Sequence, residues 1–415
     1  MHRHILPVFG LVVIGLSAMA AQQPAASRAA AQQPPASQPP PAQPSTQAPA
    51  QQPPAPGQLR PRPGTGRQPE VPPPSIMEYH PRSTLVVPEH KVTRAKFPVV
   101  DIHGHPPTFN TPEAVKNVVN LMSPLNIQVM VQTNGATGAD LKTRLDAIAA
   151  SGLKDRVAMF STISFRDVAP GWGARAAQQL EADVKAGALG VGEIGKNLGL
   201  GTMKADGTRL KVDDPELDPF WAAAGRLKVP VFLHLGEPQE FFQPLDYNNE
   251  RWQEMALFRE RRFNDRSRYP TFDELMAERD RMLMKHPNTT FILAHMGWHA
   301  NDLARLGKLF DKLPNLHAEV GAVLYDLGRQ PRFGHDFFVK YQDRILFGKD
   351  SFQPDEYPYF WRVFETADEY FDYYRDYHAF WKLYGMNLPD GVLKKLYYQN
   401  AVRIVPGLPT AGLPR

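Results

Sequence analysis

From residue 97 onward, short apolar segments rich in β-branched residues alternate with longer amphipathic segments. The apolar segments have the length and composition of buried strands, and the amphipathic ones have the spacing of helices. Eight strands are predicted, at residues 97–102, 127–132, 157–163, 189–194, 229–234, 290–295, 316–320 and 345–350. Strands that alternate in this way with helices predict a (β/α)₈ barrel.

The predicted helices between these strands include residues 113–122, 139–150, 174–186, 215–227, 272–285 and 301–313. An open doubly wound sheet is the alternative, but it would place a glycine-rich phosphate loop after the first strand, where this chain has His-Gly-His. Residues 236–288 form a long insertion after the fifth strand, which we expect at the carboxyl end of the barrel over the site. Residues 359–405 are predicted to be helical and to pack outside the barrel.

The amino-terminal 75 residues differ from the rest of the chain. Residues 1–20 have a basic start, an apolar run and small residues before Ala20, which predicts a secretory signal peptide, with an uncleaved anchor as the alternative. Residues 21–75 are rich in Ala, Gln and Pro and predict a disordered linker. We therefore expect a domain at 76–415 and export to the periplasm or the extracellular space.

Composition excludes several classes of site. The chain has no cysteine, so disulfides, thiolate nucleophiles and cysteine-ligated metal sites are impossible. All but five of the 47 Lys and Arg and all but one of the 43 Asp and Glu lie in residues 76–415, which makes that region neutral. A neutral domain predicts no nucleic-acid partner. No span of the mature chain has the length and apolarity of a membrane helix.

Ionisable residues stand at the carboxyl ends of five predicted strands, where barrel enzymes build their sites. They are His103, His105, Glu193, His234, His295 and Asp350. Imidazole nitrogens and carboxylate oxygens suit Zn²⁺, Mn²⁺ or Fe²⁺, and a metal would offset the cost of gathering these groups. We therefore expect a divalent metal, with zinc preferred and one or two ions per chain. Asp350 would accept a proton from metal-activated water.

Four segments resemble the amidohydrolase superfamily: DIHGH at 101–105, VFLHLGEP at 231–238, ILAHMG at 292–297 and ILFGKDS at 345–351. Together with the segment at 388–404, they are most similar to the amidohydrolase-related branch, which includes aminocarboxymuconate-semialdehyde decarboxylase. The resemblance covers nearly all of 97–405. It implies that His103, His105, His234 and Asp350 ligate one metal, and that His295 orients or protonates the substrate.

The segment GEIGK at 192–196 resembles TatD-like hydrolases instead, in which the glutamate bridges two metals. That resemblance implies that Glu193 bridges and that His295 ligates a second ion. The alternative for Glu193 is a carboxylate that holds a ligating histidine from behind. Lys196 lies beyond the strand, so we do not expect it to be a carboxylated metal ligand.

Other polar residues near the strand ends have weaker signals. Arg166, after the third strand, would bind a substrate carboxylate or form a surface ion pair, and Arg329 and Tyr325 are similar candidates. His317, two residues before Glu319, is expected in the core. His299 is expected at a helix start or at the rim of the site.

Two reactions and one binding role fit this pattern. The first is an exported metal-dependent hydrolase acting on an amide, lactone or ester of a small molecule, with Asp350 and His295 as catalytic residues. The second is a metal-dependent non-oxidative decarboxylase of a small carboxylate substrate, with Arg166 or Arg329 holding the carboxylate. The third is a non-catalytic exported binding protein on the same barrel. A homo-oligomer is compatible with all three.

Overall fold

The computed structural model describes residues 71–72 and 74–414 of the chain. The folded unit begins at Ser75. The predicted signal peptide and nearly all of the predicted linker lie outside the described residues. Within the part of the chain that is described, no helix is both long enough and apolar enough to cross a membrane.

The strands form a closed parallel barrel. They are β1 (Val99–His105), β2 (Ile127–Gln132), β3 (Val157–Met159), β4 (Val191–Ile194), β5 (Val231–Leu233), β6 (Phe291–Leu293), β7 (Leu316–Glu319), β8 (Ile345–Leu346) and β9 (Asp350–Ser351). The ladders run in the orders β3-β2-β1-β9 and β4-β5-β6-β7-β8, and each pairing is parallel.

Two connections join these ladders into one ring. Ser161, just after β3, bridges to Val191 of β4. β8 and β9 are consecutive parts of one eighth strand, whose Phe347 carbonyl accepts a hydrogen bond from the Ile102 amide of β1 at 3.2 Å. The (β/α)₈ barrel predicted from the sequence is therefore confirmed. Val99 and Val100 point to opposite faces of β1 and have no exposed surface, since one face points into the packed interior and the other lies under the helices.

The helices are α1 (Pro112–Met122), α2 (Gly138–Ser151), α3 (Trp172–Ala186), α4 (Asp218–Leu227), α5 (Trp252–Leu257), α6 (Phe272–Lys285), α7 (Leu303–Lys312), α8 (Leu324–Leu327), α9 (Pro331–Lys340), α10 (Tyr357–Glu365), α11 (Asp390–Lys394) and α12 (Asn400–Ile404). A π-helical turn at Lys395–Gln399 joins α11 to α12. The sequence sets some boundaries directly: at α6, Thr271 and Glu274 form a capping box that satisfies free amides of the first turn.

The segment between β5 and α6 packs at the carboxyl end of the barrel, as predicted for the insertion. Its buried Arg251 stacks on the ring of Tyr325, which follows β7, with 4.1 Å between the guanidinium and the ring centroid. Arg251 also pairs with buried Glu254 of α5. These contacts fix the insertion against the loop after β7. The last part of the predicted insertion is α6, a regular helix of the barrel.

The prediction of helix over 359–405 is wrong in its middle. α10 ends at Glu365, and α11 begins only at Asp390. Between them Phe371 pairs in antiparallel fashion with Leu383. The positive φ values of Tyr370 and Asn387 are incompatible with a right-handed helix. The apolar residues that suggested a helix pack here as an irregular excursion instead.

Candidate metal centre

Strands β1 and β9 bring three of the predicted ligands together. His103 and His105 lie two residues apart on β1 and therefore point to the same side, with their Nε2 atoms 3.1 Å apart. Asp350 pairs in register with Gly104 between them. Its Oδ1 lies 3.9 Å from Nε2 of His103 and 3.6 Å from Nε2 of His105. These three side chains form one group of potential ligands.

Glu193, at the end of β4, lies between this group and a second one. Its Oε2 is 2.9 Å from Nε2 of His105 and 3.4 Å from Nε2 of His103. Its Oε1 contacts Nδ1 of His234 and lies 3.7 Å from Nε2 of His295. Nδ1 of His234 and Nε2 of His295 are 3.3 Å apart. The six predicted site residues thus meet at one end of the barrel, with the other five on the two sides of the Glu193 carboxylate.

Hydrogen bonds from behind determine which nitrogen of three imidazoles faces the site. Nδ1 of His103, His105 and His295 each lies within hydrogen-bond distance of an oxygen. The three oxygens belong to the Glu319 carboxylate (3.0 Å), the Asn134 side chain (2.6 Å) and the Gly321 backbone (2.8 Å). A proton on each Nδ1 satisfies these oxygens and leaves each Nε2 lone pair free, which is the arrangement of metal-ligating histidines.

The donor set fits a divalent cation. Ligand bonds of about 2.1 Å at angles of 90–110° place neighbouring donor atoms roughly 3.0–3.5 Å apart, and most separations in this cluster lie near that range. His234 differs from the other imidazoles, because its Nδ1 faces the cluster and its buried Nε2 has no hydrogen-bond partner among the described residues. Lone pairs that face each other at these distances repel unless a proton or a cation lies between them.

The charges of the cluster point the same way. Burial alone would raise the pKa of the Glu193 carboxyl, but the imidazoles of His234 and His103 hold it well below its ordinary value. Burial would likewise lower the pKa of His103, yet Glu319 and Glu193 raise it well above the ordinary value. The carboxylates therefore create a strongly negative field. A proton on His103 neutralises part of this field, and a divalent cation would do the same.

A left-handed turn follows β6 and carries His295. Residues 295–298 have φ values of 57°, 54°, 61° and 57°. Such a run is costly for residues with a Cβ and is held by its surroundings. The His295 amide donates to Glu319 Oε1 at 2.6 Å, and the Gly297 carbonyl accepts from buried Arg279 at 2.9 Å. The Trp298 ring packs on the His295 ring, with the centroids 4.5 Å apart.

The basic side chains of Lys196, Arg166 and Arg329 lie outside the cluster. The Lys196 side chain is 62% exposed and pairs with Glu237 at 3.2 Å. Arg166 is exposed, and no acidic side chain within the described ranges pairs with it. Arg329 is engaged by Asp326 at 2.8 Å and by Glu250 at 2.9 Å.

Two further histidines are buried. His317 is a core residue, as predicted, and burial lowers its pKa to about 3. The expectation for His299 is wrong: it is buried, its Nε2 lies 3.1 Å from Arg279, and α7 begins only at Leu303. Tyr325, which the sequence offers as a candidate for substrate binding, is also buried and lies beneath Arg251.

Sequence reasoning missed the residues behind the cluster. In the sequence, Glu319 stands out only as a neighbour of His317, and Asn134 and Gly321 do not stand out. The one signal in the sequence is the position of Glu319 at the end of β7. Residues two apart on a strand share a face, so Glu319 points to the same side as the core residue His317. Asn134 and Gly321 lie in loops and have no such periodicity.

One family model matches most of this chain, and several solved structures are similar to it. Residues 100–407 match the family model described as amidohydrolase. Similar solved structures include an uncharacterised TIM-barrel protein from Bordetella bronchiseptica, 16% identical over 74% of this chain and 98% of that one, with a TM-score of 0.46. A 2,6-dihydroxybenzoate decarboxylase from Rhizobium is 18% identical over 74% and 98%, with a TM-score of 0.42. A dihydroxybenzoic acid decarboxylase from Polaromonas, with bound manganese and 2-nitroresorcinol, is 15% identical over 74% and 97%, with a TM-score of 0.46. No curated protein sequence matches this chain.

Proposed function

This chain belongs to the amidohydrolase family, and on that premise we propose that it is a metal-dependent hydrolase of an amide, lactone or ester bond in a small molecule. The observation that carries the proposal is the position of Glu193. Its Oε2 faces His105 and its Oε1 faces His295. A carboxylate with one oxygen toward each of two ligand groups is suited to bridge two cations, an arrangement typical of hydrolytic sites.

The residues that would hold the cations divide along this carboxylate. One group is His103, His105 and Asp350, and the other is His234 and His295. His103 also lies close enough to Glu193 and His295 to share a cation with them. The nitrogen-rich donor set favours zinc, with manganese or iron as alternatives. Divalent cations held there would supply Lewis acidity to a substrate oxygen and to water.

The chain's own groups supply the proton transfer. The Asp350 side chain is 32% exposed, whereas those of His103 and His295 are almost fully buried. Asp350 and His105, whose side chain is 27% exposed, are therefore the groups that solvent and substrate reach, and Asp350 is the carboxylate of the two. Burial would raise the pKa of its carboxyl, but His103 and His295 lower it, so the group is ionised at neutral pH, which is the form that a proton acceptor must have. It takes a proton from the attacking water and delivers it to the leaving nitrogen or oxygen. If the site holds a single cation, Nε2 of His295, whose Nδ1 is held by the Gly321 carbonyl, would instead orient the substrate.

Decarboxylation is the alternative reaction, and it needs a basic side chain that is free to hold the substrate carboxylate. Arg329 is already neutralised by two acidic side chains. Arg166 is exposed on the loop after β3. Arg166, which has no acidic partner among the described residues, is therefore the free cation that this reaction would need, and decarboxylation stays the second candidate.

The test combines metal analysis with product analysis on the full chain. We expect about two equivalents of zinc per chain, lost in the His103→Ala, His234→Ala double variant. With p-nitrophenyl acetate and a panel of lactones and amides in ¹⁸O-labelled water, we expect one labelled oxygen in the acid product. Release of CO₂ from carboxylate substrates without label uptake, or one equivalent of metal, would instead favour decarboxylation. No metal after incubation with Zn²⁺ and Mn²⁺ would leave the binding-protein alternative.

A matched pair of aspartates tests the proton-transfer role. Asp350→Asn is expected to lower kcat by about 10²–10⁴-fold, because the amide cannot accept the proton. Asp355→Asn is the control, since Asp355 is exposed on the same segment and has no contact with the cluster. Equal kcat values in the two variants would contradict the role of Asp350.

We also propose that the enzyme works outside the cytoplasm. The apolar run before Ala20 supports this proposal, and hydrolysis needs only water as a second substrate. Mass spectrometry of the protein from its native host would show an amino terminus at Ala21. An intact Met1 in the cell-associated protein would indicate an anchor instead.

A further inference from the structure

The Glu319 carboxylate lies behind the cluster and contacts both groups of ligands. Its Oε1 lies 3.0 Å from Nδ1 of His103 on β1 and 2.6 Å from the amide of His295 after β6. Its Oε2 accepts from the Gly321 amide at 2.5 Å. Glu319 itself has no exposed surface. A buried carboxylate with three donors has its charge compensated locally, and its position is fixed by all three.

The three bonds hold different parts of the site. The bond to His103 fixes the tautomer that leaves Nε2 free on the first group. The bond to the His295 amide holds the first residue of the left-handed turn and so places the ring of the second group. The bond to Gly321 fixes the loop whose carbonyl accepts from Nδ1 of His295 at 2.8 Å. Glu319 thus restrains both ligand groups from behind, whereas Glu193 lies between them.

The eighth strand leaves room for this arrangement. A Cβ at Gly348 would lie 2.6 Å from Glu319 Oε2 and 2.6 Å from Cβ of His103. Only glycine permits Glu319 and His103 to approach the backbone of the eighth strand so closely at this position. Glycine at position 348 therefore leaves the space in which the Glu319 carboxylate lies beside His103.

We propose that Glu319 is a positioning residue that sets the affinity of both ligand groups for metal, an inference that rests on the proposed metal-dependent function. The carboxylate orients His103 through its ring and His295 through its backbone. Removing its charge weakens the basicity and the orientation of both imidazoles. The expected cost is about 10–100-fold in metal affinity, as for other carboxylates behind metal-ligating histidines.

The experiment measures metal affinity directly, without turnover. Zn²⁺ is titrated into the full-length apoprotein in competition with a chromogenic chelator, for the wild type, Glu319→Gln and Glu319→Ala. In Glu319→Gln the amide oxygen still accepts from His103, but the amide nitrogen faces the Gly321 N–H. We therefore expect intermediate affinity for this variant and the weakest for Glu319→Ala. The visible absorption bands of the Co²⁺-substituted protein should shift in both, because they report ligand geometry.

Glu278→Gln is the matched control. Glu278 is a buried carboxylate on α6 that accepts from the Val212 amide and pairs with Arg209, away from the cluster. Its loss should lower the free energy of unfolding without changing zinc affinity or the Co²⁺ spectrum.

The outcomes separate this inference from the proposed function. Wild-type zinc affinity and an unchanged Co²⁺ spectrum in folded Glu319→Gln would overturn the role of Glu319. Weakened affinity in that variant, with no hydrolysis by the metal-loaded wild type, would support Glu319 and overturn the hydrolase. Absence of metal binding in the wild type would overturn both.

Discussion

At the scale of single residues, the chemistry of this barrel depends on which histidine nitrogens are free. His103 and His295 carry Nε2 into the cluster because an oxygen holds each Nδ1. His317 lies on β7 only two residues from Glu319, but it has no such acceptor, and its Nδ1 is buried without a partner among the described residues. The same residue type is therefore a candidate ligand in one place and a neutral core residue in the other.

The pH dependence of stability should show this difference. The pKa of His317 is about 3 in the folded state, and an unfolded histidine has a pKa of about 6.5. Below about pH 6.5 the unfolded chain binds a proton that the native chain excludes, so the free energy of unfolding falls as the pH falls, by about 1.4 kcal/mol per pH unit for one group. Between pH 7.5 and pH 5.0 the wild type should lose about 2 kcal/mol more than His317→Gln, measured by urea unfolding.

Exposed His80 provides the control for this measurement. His80→Gln should keep the pH dependence of the wild type. The same pH dependence in His317→Gln as in the wild type would show that His317 is protonated in the native state, contrary to its burial.

At the scale of elements, the turn after β6 is the most constrained local structure of the site. Its residues hold positive φ values although three of the four carry side chains. Gly297 has the least intrinsic strain in the turn, but a Cβ there would lie 2.7 Å from Cδ1 of Leu293 and 3.1 Å from Nη1 of Arg279. Strain at such a turn is retained because packing and hydrogen bonds over-determine it.

Gly297→Ala should therefore be destabilising. The positive φ costs about 1 kcal/mol for alanine, and displacement of Leu293 or Arg279 adds a similar amount, so we expect about 2 kcal/mol in the free energy of unfolding. Zinc affinity should fall as well, because His295 lies in the same turn. Gly201→Ala is the control, since nothing lies within 4 Å of its Cβ position. Equal stability of the two variants would mean that the turn relaxes without cost.

At the scale of the whole molecule, the folded region and the amino-terminal region differ in what they can bury. Residues 22–75 contain 17 prolines and no aromatic residue, whereas the barrel is filled by large apolar side chains. The described folded unit begins at Ser75, and its strands form a closed ring without the residues before it.

Deletion of residues 1–75 should therefore leave the barrel unchanged. We expect the free energy of unfolding to stay within about 0.5 kcal/mol of that of the full chain, with the same zinc content per chain. Urea unfolding and elemental analysis of both proteins would check this expectation. A loss of more than about 1 kcal/mol would show that the amino-terminal region packs on the barrel.

The sequence by itself determined the order of the elements and the residues at the strand ends. Period-two alternation places His103 and His105 on one face of β1, and the apolar segments locate all eight strands. These are local properties, because side-chain direction along a strand depends only on spacing. The helix predicted over 359–405 failed for the same reason: local apolarity does not distinguish a helix from an irregular segment that is buried by its neighbours.

Only the tertiary structure decided how the strand ends form a site. The contact between His103 and Glu319 joins residues 216 positions apart, and the division of the cluster by the two oxygens of Glu193 depends on the closure of the ring. Such contacts arise from the register of parallel strands and from the turn after β6, neither of which has a local pattern in the chain. The sequence therefore named the ligand candidates, and the barrel determined their distances, tautomers and supporting carboxylate.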